Sequence, residues 1–312
     1  MTPFPELREA DCAEVTVLVD NYTDLSAAPI PGVCRRPPFS LTKTLLAEHG
    51  FSCLVRVTGL GHRHDILVDT GLSACCMLHN ARQLDCGIEE VESAVLSHGH
   101  FDHTGGLSAV FMEESRQTPL VLHPDAFLRR RLNNPEKGTL ELPQLDAVGL
   151  KKAGADLLVR KGPSTLAAGH LLVTGEVERI TPFEKGFPGM EAWAGGKWSP
   201  DRILDDQAVV IALKDKGLIV ISGCAHAGII NTVEYARKLT GIDHIHAVLG
   251  GFHLTGPLFA PVISPTIAAM KKISPDYLVP MHCTGWEAIN RFAASMPGKC
   301  IMNTVGTTYT FG

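Results

Sequence analysis

Four side chains able to bind a metal ion fall within six residues of this chain: His98, His100, Asp102 and His103, in the run Ser-His-Gly-His-Phe-Asp-His-Thr-Gly-Gly from Ser97 to Gly106. Three imidazoles and a carboxylate this close must give up solvent together, and the imidazoles repel one another when charged, unless a cation holds them. Imidazole suits zinc, iron and manganese-like ions, and a carboxylate can share one. In an extended segment His98 and His100 project to the same side because side chains alternate, a direction Asp102 and His103 cannot both follow. Two neighbouring cations, one for each pair, use all four. A solvated, histidine-rich loop is the plain alternative, but a glycine-punctuated pattern of this kind between a strand and a helix argues against it.

The flanking segments must position that loop. Residues 91–97 are short, apolar and β-branched, as in a buried strand, and residues 107–114 have the pattern of a helix. The candidate ligands therefore sit on the loop at a strand end, where α/β folds place their chemistry. Earlier, residues 14–21 alternate as a strand, 28–38 form a Pro/Gly/Arg-rich loop, and 51–58 with 65–69 suggest a hairpin. Residues 73–84 look helical. Residues 119–123 predict a strand, followed by a short helix carrying Arg129, Arg130 and Arg131. From about 133 to 205 the pattern loosens, which reads as an insertion over the mouth of the site within a single domain spanning 1–312. A second hairpin is clear at 207–213 and 217–222. Helices follow at 227–239, 266–273 and 285–294, with strands at 246–249, 276–280 and 307–311. The order of elements predicts an α/β fold of two related halves, with sheets packed inside and helices outside.

Bulk properties narrow the classes of function. The 312 residues are 45% hydrophobic and 20% charged, an ordinary globular balance that supports a large core. A net charge of −5 argues against nucleic acid or an anionic membrane as the main partner. The N-terminus lacks the basic start and apolar stretch of a signal peptide, and no apolar run is long enough to span a bilayer. Nine cysteines in no regular framework fit free thiols in the cytoplasm.

Asp69-Thr-Gly71 followed by Ser97-His-Gly-His-Phe-Asp-His-Thr-Gly-Gly106 resembles the metallo-β-lactamase fold superfamily, over essentially the whole chain. That resemblance implies an αββα sandwich with a dinuclear metal site at one edge. Ser222-Gly-Cys-Ala-His-Ala-Gly-Ile-Ile-Asn231, Gly250-Gly-Phe-His-Leu254 and Pro280-Met-His-Cys-Thr-Gly285 narrow it. They are similar to the subgroup named after the dihydropterin–ribofuranosylaminobenzene phosphate synthase of methanopterin biosynthesis. The resemblance implies that His98 and His100 serve one metal, that Asp102 and His103 serve the other, and that His282 is the C-terminal ligand of the second.

Two positions depart from the superfamily pattern. Asp205-Asp206-Gln207 stands where a third histidine usually precedes the second hairpin, and Gly223-Cys224 stands where a bridging aspartate usually ends it. We expect His226 to supply the missing imidazole. Cys224 is either a soft ligand or a small buried packing residue, and packing is the preferred reading. His253 could bind metal, bind substrate or protonate a leaving group, against a buried, hydrogen-bonded histidine as the plain alternative. His123 reads as structural or at the pocket edge, and His49 could reach the mouth. His62, His64, His79, His170, His244 and His246 read as surface or packing residues. Arg129 to Arg131 read as a solvated helix face that could attract an anion.

Two divalent cations, with zinc first and iron or manganese as alternatives, would share a water and lower its pKa to give a hydroxide nucleophile. The leading expectation is a metal-dependent hydrolase acting on an ester, lactone, thioester or phosphoester of a small molecule, with Asp102 and His253 as catalytic groups. A transferase condensing a dihydropterin diphosphate with an aminobenzene ribosyl phosphate is the first alternative, and a di-iron redox enzyme the second. The partner expected is a small molecule, anionic or pterin-like, with no nucleic acid and no membrane; oligomeric state is not legible.

Overall fold

The computed structural model describes residues 4–113, 117–134, 136 and 138–312. Two mixed sheets face each other. The first has eight strands, in the spatial order Ala155–Val159, Thr118–Leu122, Ser93–Val95, His62–Val68, Ser52–Gly59, Cys12–Val19, Thr308–Phe311 and Cys34–Arg35. The second has seven. Ser164–Leu166, Leu171–Val173, Ala208–Leu213, Gly217–Ser222, Ile245–Gly251 and Tyr277–Met281 run across it, and Glu9–Ala10 pairs in parallel with the end of Ala208–Leu213.

Side-chain alternation along the strands makes the layers. Val209, Ile211 and Leu213 enter the core between the sheets with Ile219, Ile221, Val55, Val57, Ile66 and Val68. Their neighbours Ala208, Val210, Ala212, Leu218 and Val220 face outward into a second core. That core is closed by the helices Ile229–Thr240, Ala260–Ile273 and Trp286–Ser295, through Val233, Ile267 and Phe292. On the far side, Leu54, Leu67 and Leu120 pack against Ala74–Gln83, Leu107–Glu113 and Ala147–Ala153, through Met77, Phe111 and Leu150. A strand covered on both faces must be apolar at every position, which is why Ala208–Leu213 carries no polar side chain. The result is the αββα sandwich. Among the described residues, no helix is long and apolar enough to cross a membrane.

Several elements differ from the sequence reading. Residues 129–131 are not helical. Arg130–Asn134 is a strand, and it joins Gly138–Glu141, Met190–Ala194 and Lys197–Pro200 in a four-stranded antiparallel sheet. Three consecutive arginines carry no period, so only the tertiary pairing shows that Arg130 turns inward while Arg129 stays exposed. The segment 133–205 is also more than a cover. It supplies Ala155–Val159 to the first sheet, and Ser164–Leu166 and Leu171–Val173 to the second. The helix read at 266–273 begins earlier, as Ala260–Ile273, with Pro261 tolerated in its first turn. The helix read at 107–114 is Leu107–Glu113. Glu114, Pro135, Lys137 and the first three residues of the N-terminus lie outside the described residues.

Candidate metal centre

The Ser93–Val95 strand runs into the histidine-rich loop, which closes in the short helix Phe101–Thr104. His98, His100, Asp102 and His103 are all buried. Two glycines hold the loop against its neighbours. A Cβ on Gly99 would lie 2.2 Å from the Ala126 carbonyl oxygen, and one on Gly105 only 1.8 Å from that of Leu72.

Hydrogen bonds set which ring nitrogens face the site. Asp69 accepts from the Ser97 backbone N–H at 2.7 Å and from Ser97 Oγ at 2.6 Å. The same carboxylate lies 2.7 Å from His103 Nδ1, so Nδ1–H donates to it and Nε2 points into the site. Ser97 Oγ, having given its proton to Asp69, accepts from His98 Nδ1 at 2.9 Å. His98 Nε2 is thereby left buried with no hydrogen-bond partner, as is His100 Nε2. A carboxylate or hydroxyl behind a ligating histidine is the usual way to fix its tautomer.

The other wall comes from the second sheet. Gly217–Ser222, Ile245–Gly251 and Tyr277–Met281 run parallel, so their carboxyl ends bring Cys224, His226, His253 and His282 to one edge. The rings of His98, His100 and His226 form a triangle with centroids 4.5, 4.7 and 4.7 Å apart. The donor atoms of Asp102, His103, Cys224 and His282 lie within 4.8 Å of one another, and so do those of His98, Cys224 and His226. Cys224 is buried, as the packing reading has it, and it also stands among the donor atoms. Its Sγ is 3.1 Å from His103 Nε2 and 3.4 Å from His282 Nε2, at the junction of the two groups. His282 is oriented by Asn21, whose Oδ1 is 3.1 Å from its Nδ1.

The electrostatics match a site made for cations. Burial, and then the neighbouring imidazoles, hold His98 and His226 well below the ordinary histidine range; for His100, burial is joined first by Arg130. All three are thus neutral, with His226 Nε2 and His100 Nδ1 3.1 Å apart and sharing a hydrogen bond. Burial alone would push the Asp102 carboxyl up, but His103, His282 and His49 around it hold it far below the usual carboxylate range. Burial also raises the Cys224 thiol, a penalty that a bound cation reverses. Buried nitrogens without partners are costly, and a divalent cation would satisfy the unpartnered Nε2 atoms of His98 and His100. The donor set fits such ions: three imidazoles on one side, two imidazoles and a carboxylate on the other, and a thiol between.

The remaining candidates sort by position. His253 is half-buried, with its ring 4.3 Å from that of His226 and flanked by Phe187 and Phe259 at 5.0 and 4.6 Å. It stands beside the donor cluster, grouped with Cys224 and Cys283. His49 does reach the mouth, with Nε2 3.4 Å from Asp102. His123 bonds Glu176 at 3.0 Å, away from the cluster. His64, His79, His170, His244 and His246 contact Glu92, Thr44, Glu9 and Asp276 elsewhere, and His62 is exposed. Asp205 pairs with Arg130 at 2.5 Å and accepts the Gly99 N–H at 2.8 Å, bracing the loop from behind. Arg130 itself is buried and also binds Asp201 at 2.7 Å. Its role, like the orienting roles of Asp69 and Asn21, escaped the sequence reading. Of these only Asp69 carried a signal, through the Asp-Thr-Gly motif.

An αββα sandwich with a histidine-rich donor cluster at one edge defines a class of metal-site protein, and comparison with known proteins names it. The sequence profile of the metallo-beta-lactamase superfamily matches residues 48–126. The chain is 33% identical over 252 residues to 7,8-dihydropterin-6-methyl-4-(beta-D-ribofuranosyl)-aminobenzene-5'-phosphate synthase of Methanocaldococcus jannaschii, covering 79% of this chain and 84% of that protein. It is 34% identical over 265 residues to an uncharacterized protein of the same organism, covering 83% and 95%. The chain belongs to the metallo-beta-lactamase superfamily, in the subgroup that includes this synthase. Among solved structures it shares its fold with Tm1679, described as a metal-dependent hydrolase of the beta-lactamase superfamily. That match has a TM-score of 0.73 and 24% identity, over 95% of this chain and 98% of the other. A diphosphatase from the PhnP family matches with a TM-score of 0.50 and 15% identity, over 96% and 97%.

Proposed function

We propose that the protein is a metal-dependent hydrolase of a small-molecule ester, lactone, thioester or phosphoester. The observation that carries this reading is the pair of buried donor groups, His98–His100–His226 and Asp102–His103–His282, meeting at Cys224. Two divalent cations held there, zinc by preference because a thiol lies between imidazoles, would acidify a shared water and polarise the attacked oxygen.

The chain's own residues supply the rest. Asp102, kept ionised by its histidine neighbours, accepts a hydrogen bond from the attacking water and orients it. His253, half-buried at the side of the cluster, donates a proton to the leaving group. A cavity of 370 Å³ lined by His49, His282, Tyr22 and Trp286 adjoins the cluster and has the size for a small substrate with a flat ring. The free cysteines support a reducing, cytoplasmic setting.

The test is turnover of chromogenic esters, a lactone, a thioester and phosphomono- and diesters by protein loaded with zinc, manganese or iron, beside a chelator-treated control. Absence of metal-dependent turnover across the whole panel would sink the reading. A second reading is favoured by the synthase relative. The same groups could bind the diphosphate of a dihydropterin while an aminobenzene ribosyl phosphate displaces it. Diphosphate release with the paired substrates, and none with water alone, would select that reading.

A further inference from the structure

Cys283 follows the candidate ligand His282, is buried, and has no part in the chemistry above. Its Sγ lies 3.2 Å from Cys224 Sγ. A disulfide needs the two sulfurs at about 2.05 Å, so a short movement of the sulfurs separates contact from a bond. Cys224 belongs to every donor group at the centre, with Asp102, His103 and His282, with His98 and His226, and with His253 and Cys283. A thiolate is a strong soft ligand, whereas a disulfide sulfur carries no charge to offer a cation. One sulfur thus faces two mutually exclusive partners.

We propose that Cys224 and Cys283 form an oxidisable thiol pair whose disulfide and whose bound metal exclude each other. The oxidant class is a peroxide, small enough to reach a buried sulfur from the cleft. Cys283, which lines the cavity, attacks one peroxide oxygen through its sulfur, the O–O bond breaks, water leaves, and a sulfenic acid remains. Cys224 sulfur then attacks that sulfur, the S–S bond forms, and a second water leaves. Two thiols lose two electrons in total, one hydrogen peroxide is reduced, and the thiol protons end in the two waters. A bound cation blocks the second step by occupying the Cys224 sulfur. The inference rests on the proposed metal centre but not on hydrolysis, and its readouts are thiol state and metal content.

The experiment uses the full chain, reduced and stripped with chelator under anaerobic conditions, then divided. One portion is loaded with zinc, and both are treated with hydrogen peroxide. Peptide mapping by mass spectrometry of the metal-free portion is expected to show a Cys224–Cys283 crosslink. That oxidised protein then binds fewer zinc ions than reduced protein, and a phosphine reductant restores the difference. In the zinc-loaded portion the crosslink forms at least tenfold more slowly. Cys283→Ser abolishes the crosslink and keeps full zinc stoichiometry. The proposal is overturned if the metal-free protein does not crosslink these residues, if the crosslinked protein binds zinc fully, or if zinc gives no protection. It is also overturned if Cys283→Ser loses zinc, because Cys283 would then be a ligand itself. Failure to find a hydrolysed substrate leaves all these readouts in place, so the two readings fail separately.

Discussion

The two walls of the centre are built in opposite ways. One is a single loop, in which His98, His100, Asp102 and His103 are fixed by close backbone packing at Gly99 and Gly105 and by the Asp69–Ser97 hydrogen bonds. The other is an assembly, in which Cys224 and His226 follow one strand end and His282 another, and they meet only because those strands are held in parallel register. Local constraint makes the first wall compact in sequence. The second depends on sheet packing, so its chemistry has no compact signature. The loop is nonetheless not self-sufficient, because the Arg130–Asp205 pair supports it from outside.

That dependence offers the largest effect. Arg130→Ala leaves Asp201 and Asp205 without their buried partner and should lower stability by about 3–5 kcal/mol, read as a shift of the urea midpoint for metal-free protein. A change near zero would show that the loop stands alone. Next come the candidate ligands. His103→Ala and His226→Ala should each remove one of two bound zinc ions by metal analysis and lower turnover by roughly 10²–10³-fold, the scale of losing one preorganised electrostatic group. Full zinc content in His226→Ala would show that the assembled wall adds no ligand to the His98–His100 pair.

A smaller effect belongs to orientation. Asp69→Asn removes the charged acceptor behind His103 Nδ1 and should weaken zinc binding by about 10–100-fold, measured by competition with a chromogenic chelator. An unchanged affinity would mean that the loop backbone alone orients the ring. The smallest effect is at a helix cap that carries no candidate ligand. Ser73 caps the Ala74–Gln83 helix by accepting from the Cys76 N–H. Ser73→Ala should cost about 1 kcal/mol in denaturant titration with zinc stoichiometry unchanged.

Legibility followed the range of the interactions. The hairpin Ala208–Leu213/Gly217–Ser222 was readable because continuous burial writes a continuous apolar run. The small sheet around Arg130–Asn134 was not, since its two short hairpins are joined only by the distant pairing of Met190–Ala194 with Arg130–Asn134 and its arginines show no period. Asp205 illustrates the same limit. By sequence it stood at a ligand position, whereas in the fold it is a carboxylate neutralised by Arg130 and bonded to the loop backbone.

By itself the sequence determined the histidine-rich loop and, through the resemblance its motifs carry, the superfamily and the αββα layering, because donor spacing and burial alternation are local patterns. Only the tertiary structure decided that Cys224 stands between the two donor groups, that Cys283 touches it, and that Arg130 is buried behind the loop. Those outcomes depend on where parallel strands end relative to one another, a property of sheet register that no single segment encodes.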